Sequence, residues 1–172
     1  VDLRLVPSDP KGLRTVIRIY ENMVTSEIGA SSVDRIAGVP TAGVPYASIL
    51  AYTLSKPFLY VRREWKPHGG ERRVEGQLLP GERVVVIDDL VTTGKNILQA
   101  AEAIRAEGGR VEHVVVLIDR QEGGKKALAS SGLRLHAFAT ITEIARRLMQ
   151  AGVIEDEQYQ AIVAQTRTQP SA

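Results

Sequence analysis

The chain has 172 residues, of which 44% are hydrophobic and 24% charged, with a formal net charge of +2. Such a composition suits one α/β domain with a sizeable core, is too short for two ordinary domains, and excludes a disordered or fibrous chain. Cysteine is absent, so disulfides and thiolate metal sites are excluded, and His68, His113 and His136 show no metal-ligand spacing.

The longest aliphatic runs, residues 84–87 and 114–118, are strand-length and far below the roughly 20 apolar residues that span a bilayer, so no membrane partner is expected. The opening Val1-Asp2-Leu3-Arg4-Leu5 lacks the basic-then-apolar order of an export signal, which makes the cytoplasm the expected location. The net charge is too small to indicate nucleic acid as a partner.

Asp9 before Pro10 reads as a helix cap followed by a first-turn proline, and Leu13, Val16, Ile17, Tyr20 and Val24 recur at helical spacing. A helix over residues 10 to about 27 follows. Past the breaker at 29–32, residues 34–39 read as a strand, 44–54 as a helix and 58–61 as a second strand. From about 62 to 80 the rhythm fails: glycines, prolines and charges dominate, with Trp65, Val74, Leu78 and Leu79 as the sizeable apolar side chains. So long a loop in a compact domain is expected to be mobile and functional.

Order resumes with a strand at 83–87, a helix at 94–107, a strand at 111–118, a helix at 122–130, a strand at 133–139, and helices near 142–150 and 155–165. Residues 166–172 read as a frayed tail. Strands alternating with helices, two of them continuous Val/Ile runs, predict one domain over 1–172: a doubly wound, mostly parallel sheet flanked by helices. Ligands belong at the carboxyl ends of its strands.

The segment VVVIDDLVTTGKN, residues 84–96, places Asp88 and Asp89 at the end of a buried strand, then a Thr-Thr-Gly turn that opens a helix. Backbone N–H groups there, with the Thr92 and Thr93 hydroxyls, suit a phosphate favoured by the helix dipole. The two carboxylates are then placed to accept hydrogen bonds from vicinal hydroxyls. A bare Asp-Asp is also compatible with a solvated strand end and a helix cap. Neither a Walker A loop nor a Gly-x-Gly-x-x-Gly fingerprint is present.

That segment resembles the diagnostic element of the type I phosphoribosyltransferases. GVPTAGVPYA at 38–47, YVRREWKPHGGERRVEG at 60–76 and LIDRQEGG at 117–124 narrow the resemblance to the orotate phosphoribosyltransferases. It implies a type I phosphoribosyltransferase fold and transfer of the 5-phosphoribosyl group of phosphoribosyl pyrophosphate (PRPP) to orotate, giving orotidine 5′-monophosphate and pyrophosphate. It places Asp88, Asp89, Val91, Thr92, Thr93, Gly94, Lys95 and Asn96 on the ribose and 5-phosphate. Thr41, Ala42, Gly43, Arg62, Arg63, Lys66 and His68 fall on the pyrophosphate, and Thr92 and Arg120 on orotate. Asp88, Arg62, Lys66 and His68 would be the catalytic set. Mg²⁺ is implied as held mainly by PRPP, with no direct protein ligand, and a homodimer whose loops are shared across subunits is implied as the assembly.

Three departures from the family pattern stand out. Ala42 replaces a lysine of many bacterial relatives; Arg63 replaces a loop lysine, and Pro67 an acidic residue. The opening VDLR resembles the end of the family's first strand, so the resemblance implies that an amino-terminal hood segment is missing. A purine phosphoribosyltransferase and a catalytically silent PRPP-binding regulator of the same fold are the alternative readings. His113 and His136, on predicted strands, receive no role.

Overall fold

The structure, a computed structural model, describes residues 2–62 and 73–167. Arg63, Lys66 and His68, and Trp65 with them, lie outside the described residues, as does the tail beyond 167.

The chain first makes a 3-10 turn at Leu3–Ser8, begun by the Asp2 carboxylate accepting from the Arg4 N–H at 3.0 Å. The expected end of a strand is therefore absent here: a capped turn, stabilised by a local Asp–Arg pair, replaces it. Helix α1, Pro10–Met23, starts where the sequence requires, with Asp9 accepting from the N–H groups of Lys11 and Gly12, both at 3.1 Å. It continues as a π-helical turn at Val24–Ile28 and ends at Gly29.

Strand β1 (Arg35–Gly38), helix α2 (Gly43–Thr53) and strand β2 (Phe58–Val61) follow. The expected loop is not structureless throughout. Val74–Glu75 forms β3, antiparallel to β2, with Val74 buried and its N–H donating to Glu107 at 3.0 Å. The apolar Val74 and Leu78 give this stretch something to bury, and both reach the core.

Strand β4 (Arg83–Ile87) leads to a two-residue strand β5 (Leu90–Val91), helix α3 (Lys95–Ala106) and the long β6 (Arg110–Asp119). Helix α4 (Gly124–Ser130), strand β7 (Arg134–Thr140), helix α5 (Ile141–Gln150) and helix α6 (Asp156–Arg167) complete the described chain. Thr166, expected in a frayed tail, is inside α6, its hydroxyl donating to the Val163 carbonyl at 2.8 Å.

The sheet runs β3-β2-β1-β4-β6, with β5 and β7 also on β6, and every pairing but β2–β3 is parallel. Alternation along β4 divides the core. Val84 and Val86 pack with Ile97, Ala101, Ile104 and Leu128 of α3 and α4 on one face. Val85 and Ile87 pack with Ile17, Tyr20, Tyr46 and Leu50 of α1 and α2 on the other. Burying each such Val or Ile contributes about 1.5–3 kcal/mol, which holds β4 in the centre and its carboxyl end in one place. The fold is the doubly wound, mostly parallel arrangement that the sequence predicts. Among the described residues no helix is long and apolar enough to cross a membrane.

Candidate active site

Where β4 ends, Asp88 and Asp89 leave the sheet almost buried, at 8% and 9% exposure. Neither caps α3. The Asp88 carboxylate accepts from the Asp89 N–H at 2.9 Å, and the Asp89 carboxylate from the Leu90 N–H at 2.8 Å. Burial, and then the neighbouring Asp89 charge, push the Asp88 carboxyl well above the usual carboxylate range. Behind the pair, the wholly buried Tyr20 of α1 donates its hydroxyl to the Asp88 carbonyl at 2.7 Å.

Gly43 closes the other side. A Cβ on it would lie 2.5 Å from the Ile87 carbonyl and 3.0 Å from the Asp88 Cα, so only glycine allows α2 to start this close to β4. Its N–H is given to the Val39 carbonyl at 3.0 Å, which leaves Gly43 behind the site, outside the cavity lining.

A cavity of about 280 Å³ opens over these residues, lined by Thr41, Ala42 and every position from 88 to 97. It brings together the eight residues expected on the ribose phosphate with Thr41 and Ala42. Leu90 and Ile97 also line it; sequence reasoning missed them because they are apolar members of a polar string. Gly94, with φ of 82°, turns the chain into α3, so that Lys95 and Asn96 sit on the first helical turn beside the cavity. An anion there meets the amino end of a 12-residue helix.

Arg62, at the end of β2, pairs with Glu75 across the hairpin and lines a neighbouring apolar groove with Thr41 and Tyr60. Its N–H donates to the Arg73 carbonyl at 2.9 Å.

Arg120 arrives from β6. Its N–H donates to the Val91 carbonyl at 2.9 Å, one residue before Thr92, and its guanidinium pairs with Glu122 at 2.8 Å. Gly124 seals the same junction, its N–H donating to the Thr92 carbonyl at 2.9 Å; a Cβ there would fall 2.4 Å from that oxygen. The two residues expected on orotate therefore belong to segments joined backbone to backbone.

Residues 8–135 match the model of the phosphoribosyl transferase domain. Over 166 residues the chain is 42% identical to an orotate phosphoribosyltransferase of Cenarchaeum symbiosum, covering 96% of this chain and 83% of that one. The chain belongs to the orotate phosphoribosyltransferases. A crystal structure of an orotate phosphoribosyltransferase from Aeropyrum pernix superposes with a TM-score of 0.78 at 38% identity, covering 86% of this chain and 82% of that one. A Leishmania donovani UMP synthase superposes with a TM-score of 0.85 at 33% identity, covering 96% of this chain but 35% of that longer one. The family relation covers the acid-pair strand and the Arg120 turn alike.

His113 and His136, which received no role, meet across β6 and β7 at 3.0 Å, and His136 also contacts Glu27 at 2.7 Å. They lie on strands, away from the cavity lining, and complete a part-buried polar chain.

Proposed function

We propose that this chain transfers the 5-phosphoribosyl group of PRPP to orotate, forming orotidine 5′-monophosphate and pyrophosphate in pyrimidine nucleotide synthesis. The carrying observation is the juxtaposition of one cavity, holding the acid pair and the α3 amino end, with the Arg120 turn anchored at Val91. The bond from the anomeric carbon to the pyrophosphate oxygen breaks, its electron pair leaving with pyrophosphate, and a pyrimidine nitrogen bonds to that carbon as its N–H bond breaks, the proton passing to pyrophosphate or to water. The sugar passes through an oxocarbenium-like state, so the protein needs no nucleophile; it must position, screen charge and exclude water.

In this reading the α3 amino end and the residue 91–96 segment hold the 5-phosphate, while Asp88 and Asp89 accept the ribose hydroxyls. Thr41 and Ala42 take the pyrophosphate, and Gly43 supports them from behind. Arg62, Arg63, Lys66 and His68 stabilise or protonate the departing group, and Arg120 with Thr92 takes the orotate carboxylate and ring, a charge and geometry that guanidinium suits.

Mg²⁺ enters as part of the substrate. It would be held mainly by PRPP oxygens, and Asp88 and Asp89 line the cavity that would receive the cation-carrying substrate. When bound it screens pyrophosphate charge. A homodimer sharing its loops and a cytoplasmic location belong to the same proposal.

Pyrophosphate release from Mg²⁺-PRPP, with orotate, uracil, adenine, guanine and hypoxanthine offered separately, tests the reading. Turnover with orotate alone is expected. Turnover with a purine, or tight PRPP binding without turnover, would replace it by one of the alternatives. Mixing loop-deficient and acid-pair-deficient variants should restore part of the activity if loops are shared.

A further inference from the structure

Gln121 follows Arg120 with φ of 59°, in the left-handed region that a residue carrying a Cβ seldom adopts. Such a conformation persists only where its surroundings over-determine it. Three bonds do so. The Asp119 carboxylate, 6% exposed, accepts from the Gln121 N–H at 2.7 Å, and the Gln121 side-chain carbonyl accepts from the Thr142 hydroxyl at 2.7 Å and from the Thr142 N–H at 3.4 Å. Thr142 stands in the first turn of α5, whose start is fixed by a reciprocal pair of bonds between Thr140 and Glu143.

The consequence falls on Arg120. Asp119 is still paired with Val91 on one side and Thr140 on the other, as the last residue of β6. Strand β7 ends at Thr140, opposite Asp119, so an extended Gln121 would have carried the chain past the end of its strand partner. Its left-handed turn instead sends residues 122–124 back across Val91 and Thr92, leaving Arg120 at the corner with its N–H on Val91. Gln121 itself is exposed, so core packing does not explain why this conformation is held.

We propose that Asp119 and Gln121 are positioning residues for base recognition, acting through Arg120: they fix the turn that aims the guanidinium at the substrate carboxylate. This rests on the reading of Arg120 given above. The sugar phosphate is gripped by the 88–96 segment, so loosening the turn alters how the base is held and leaves the grip on PRPP intact.

Steady-state kinetics with orotate varied at saturating PRPP, and the reverse, separate the two. Gln121→Ala, which keeps the left-handed demand and loses both Thr142 bonds, should raise the orotate KM about tenfold and leave the PRPP KM within about twofold. Gln121→Gly, free to adopt the turn, should recover part of the loss. Thr142→Val removes the hydroxyl bond from the α5 side and should shift the orotate KM in the same direction, which keeps the test decisive if Gln121→Ala folds poorly. An unchanged orotate KM in Gln121→Ala and Thr142→Val, or equal changes in both KM values, overturns the proposal. Arg120→Lys is the separate control: if it leaves the orotate KM unchanged, the reading of Arg120 fails, whatever the turn variants do.

Discussion

Replacing Tyr20 by Phe removes one oxygen from the core and touches the acid pair only through its backbone. The hydroxyl donates to the Asp88 carbonyl at 2.7 Å, the ring is wholly buried, and its 5.8 Å ring contact with Tyr46 survives the change. Losing such a bond and leaving a buried carbonyl short of a donor costs about 1–2 kcal/mol. For a domain of this size that lowers Tm by about 2–8 °C. If half of the loss falls on the pose of Asp88 in the transition state, kcat/KM for PRPP drops about two- to fivefold. Thermal unfolding and PRPP-varied kinetics measure the two parts, and a double-mutant cycle with Asp88→Asn measures their coupling. Tyr46→Phe, which loses a 2.7 Å bond to the Leu3 carbonyl, should lower Tm with little effect on PRPP kinetics. Burial, then the charges of Asp88 and Asp89, raise the Tyr20 phenol well above its ordinary range. The stability that follows is complete below about pH 10 and is lost as the pH rises toward the folded value, so Tyr20→Phe should flatten the alkaline limb of the stability curve. A lowered Tm with unchanged kcat/KM, or effects that simply multiply with those of Asp88→Asn, would refute the link between Tyr20 and the acid pair.

Asp88→Asn should lower turnover and at the same time raise the Tm of the substrate-free protein. The raised folded value means that ionising this carboxyl opposes folding, so the Tm gap over wild type should widen from pH 4 to pH 8 in differential scanning calorimetry; a gap that narrows would contradict the burial argument. Gly43→Ala must push α2 away from the Ile87 carbonyl, and a fall in PRPP affinity of tenfold or more, read by calorimetric titration, is expected. Burial, then His136 and Arg134, lower the His113 value, so stability from its neutral form is present above about pH 6.5 and falls as the pH drops below it. His113→Gln should soften that acid decline while leaving kcat within about twofold at pH 8; a large kcat loss would give this pair a role in turnover. Lys66→Ala should cut turnover by at least tenfold in a pyrophosphate-release assay, and activity within a fewfold of wild type would remove it from the catalytic set.

What the sequence discloses here depends on how local the cause is. Strands β4 and β6 are legible because an unbroken Val/Ile run has no polar face to give to water, and α1 because Asp9 and Pro10 mark its start. The acid pair and the Thr-Thr-Gly turn are legible because their residues are contiguous, and the cavity gathers them as one string. Strand β5 escapes notice because two residues carry no period; it exists only because β6 outruns β4 and offers Ile118 and Asp119 as partners. Tyr20 shows as one apolar position among several, and its hydroxyl's partner lies 68 residues away. A buried tyrosine nonetheless needs a partner for its hydroxyl, and that is the signal that could have flagged it. Gln121 gives no hint, since left-handed turns are expected of Gly or Asn and its two supports come from separate elements.

The junction between the residue 91–92 segment and the residue 120–124 turn also bears on how substrate choice could be rewritten. It is made by two main-chain bonds, Arg120 N–H to Val91 and Gly124 N–H to Thr92, neither of which uses the Arg120 side chain. On the assignment proposed above, the sugar-phosphate cradle and the base-reading corner are separable cassettes clipped together at the peptide backbone. Exchanging Arg120 and its partner Glu122, with Asp119, Gln121 and Gly124 retained to hold the turn, is then a route to a different nucleobase that leaves the ribosyl donor untouched.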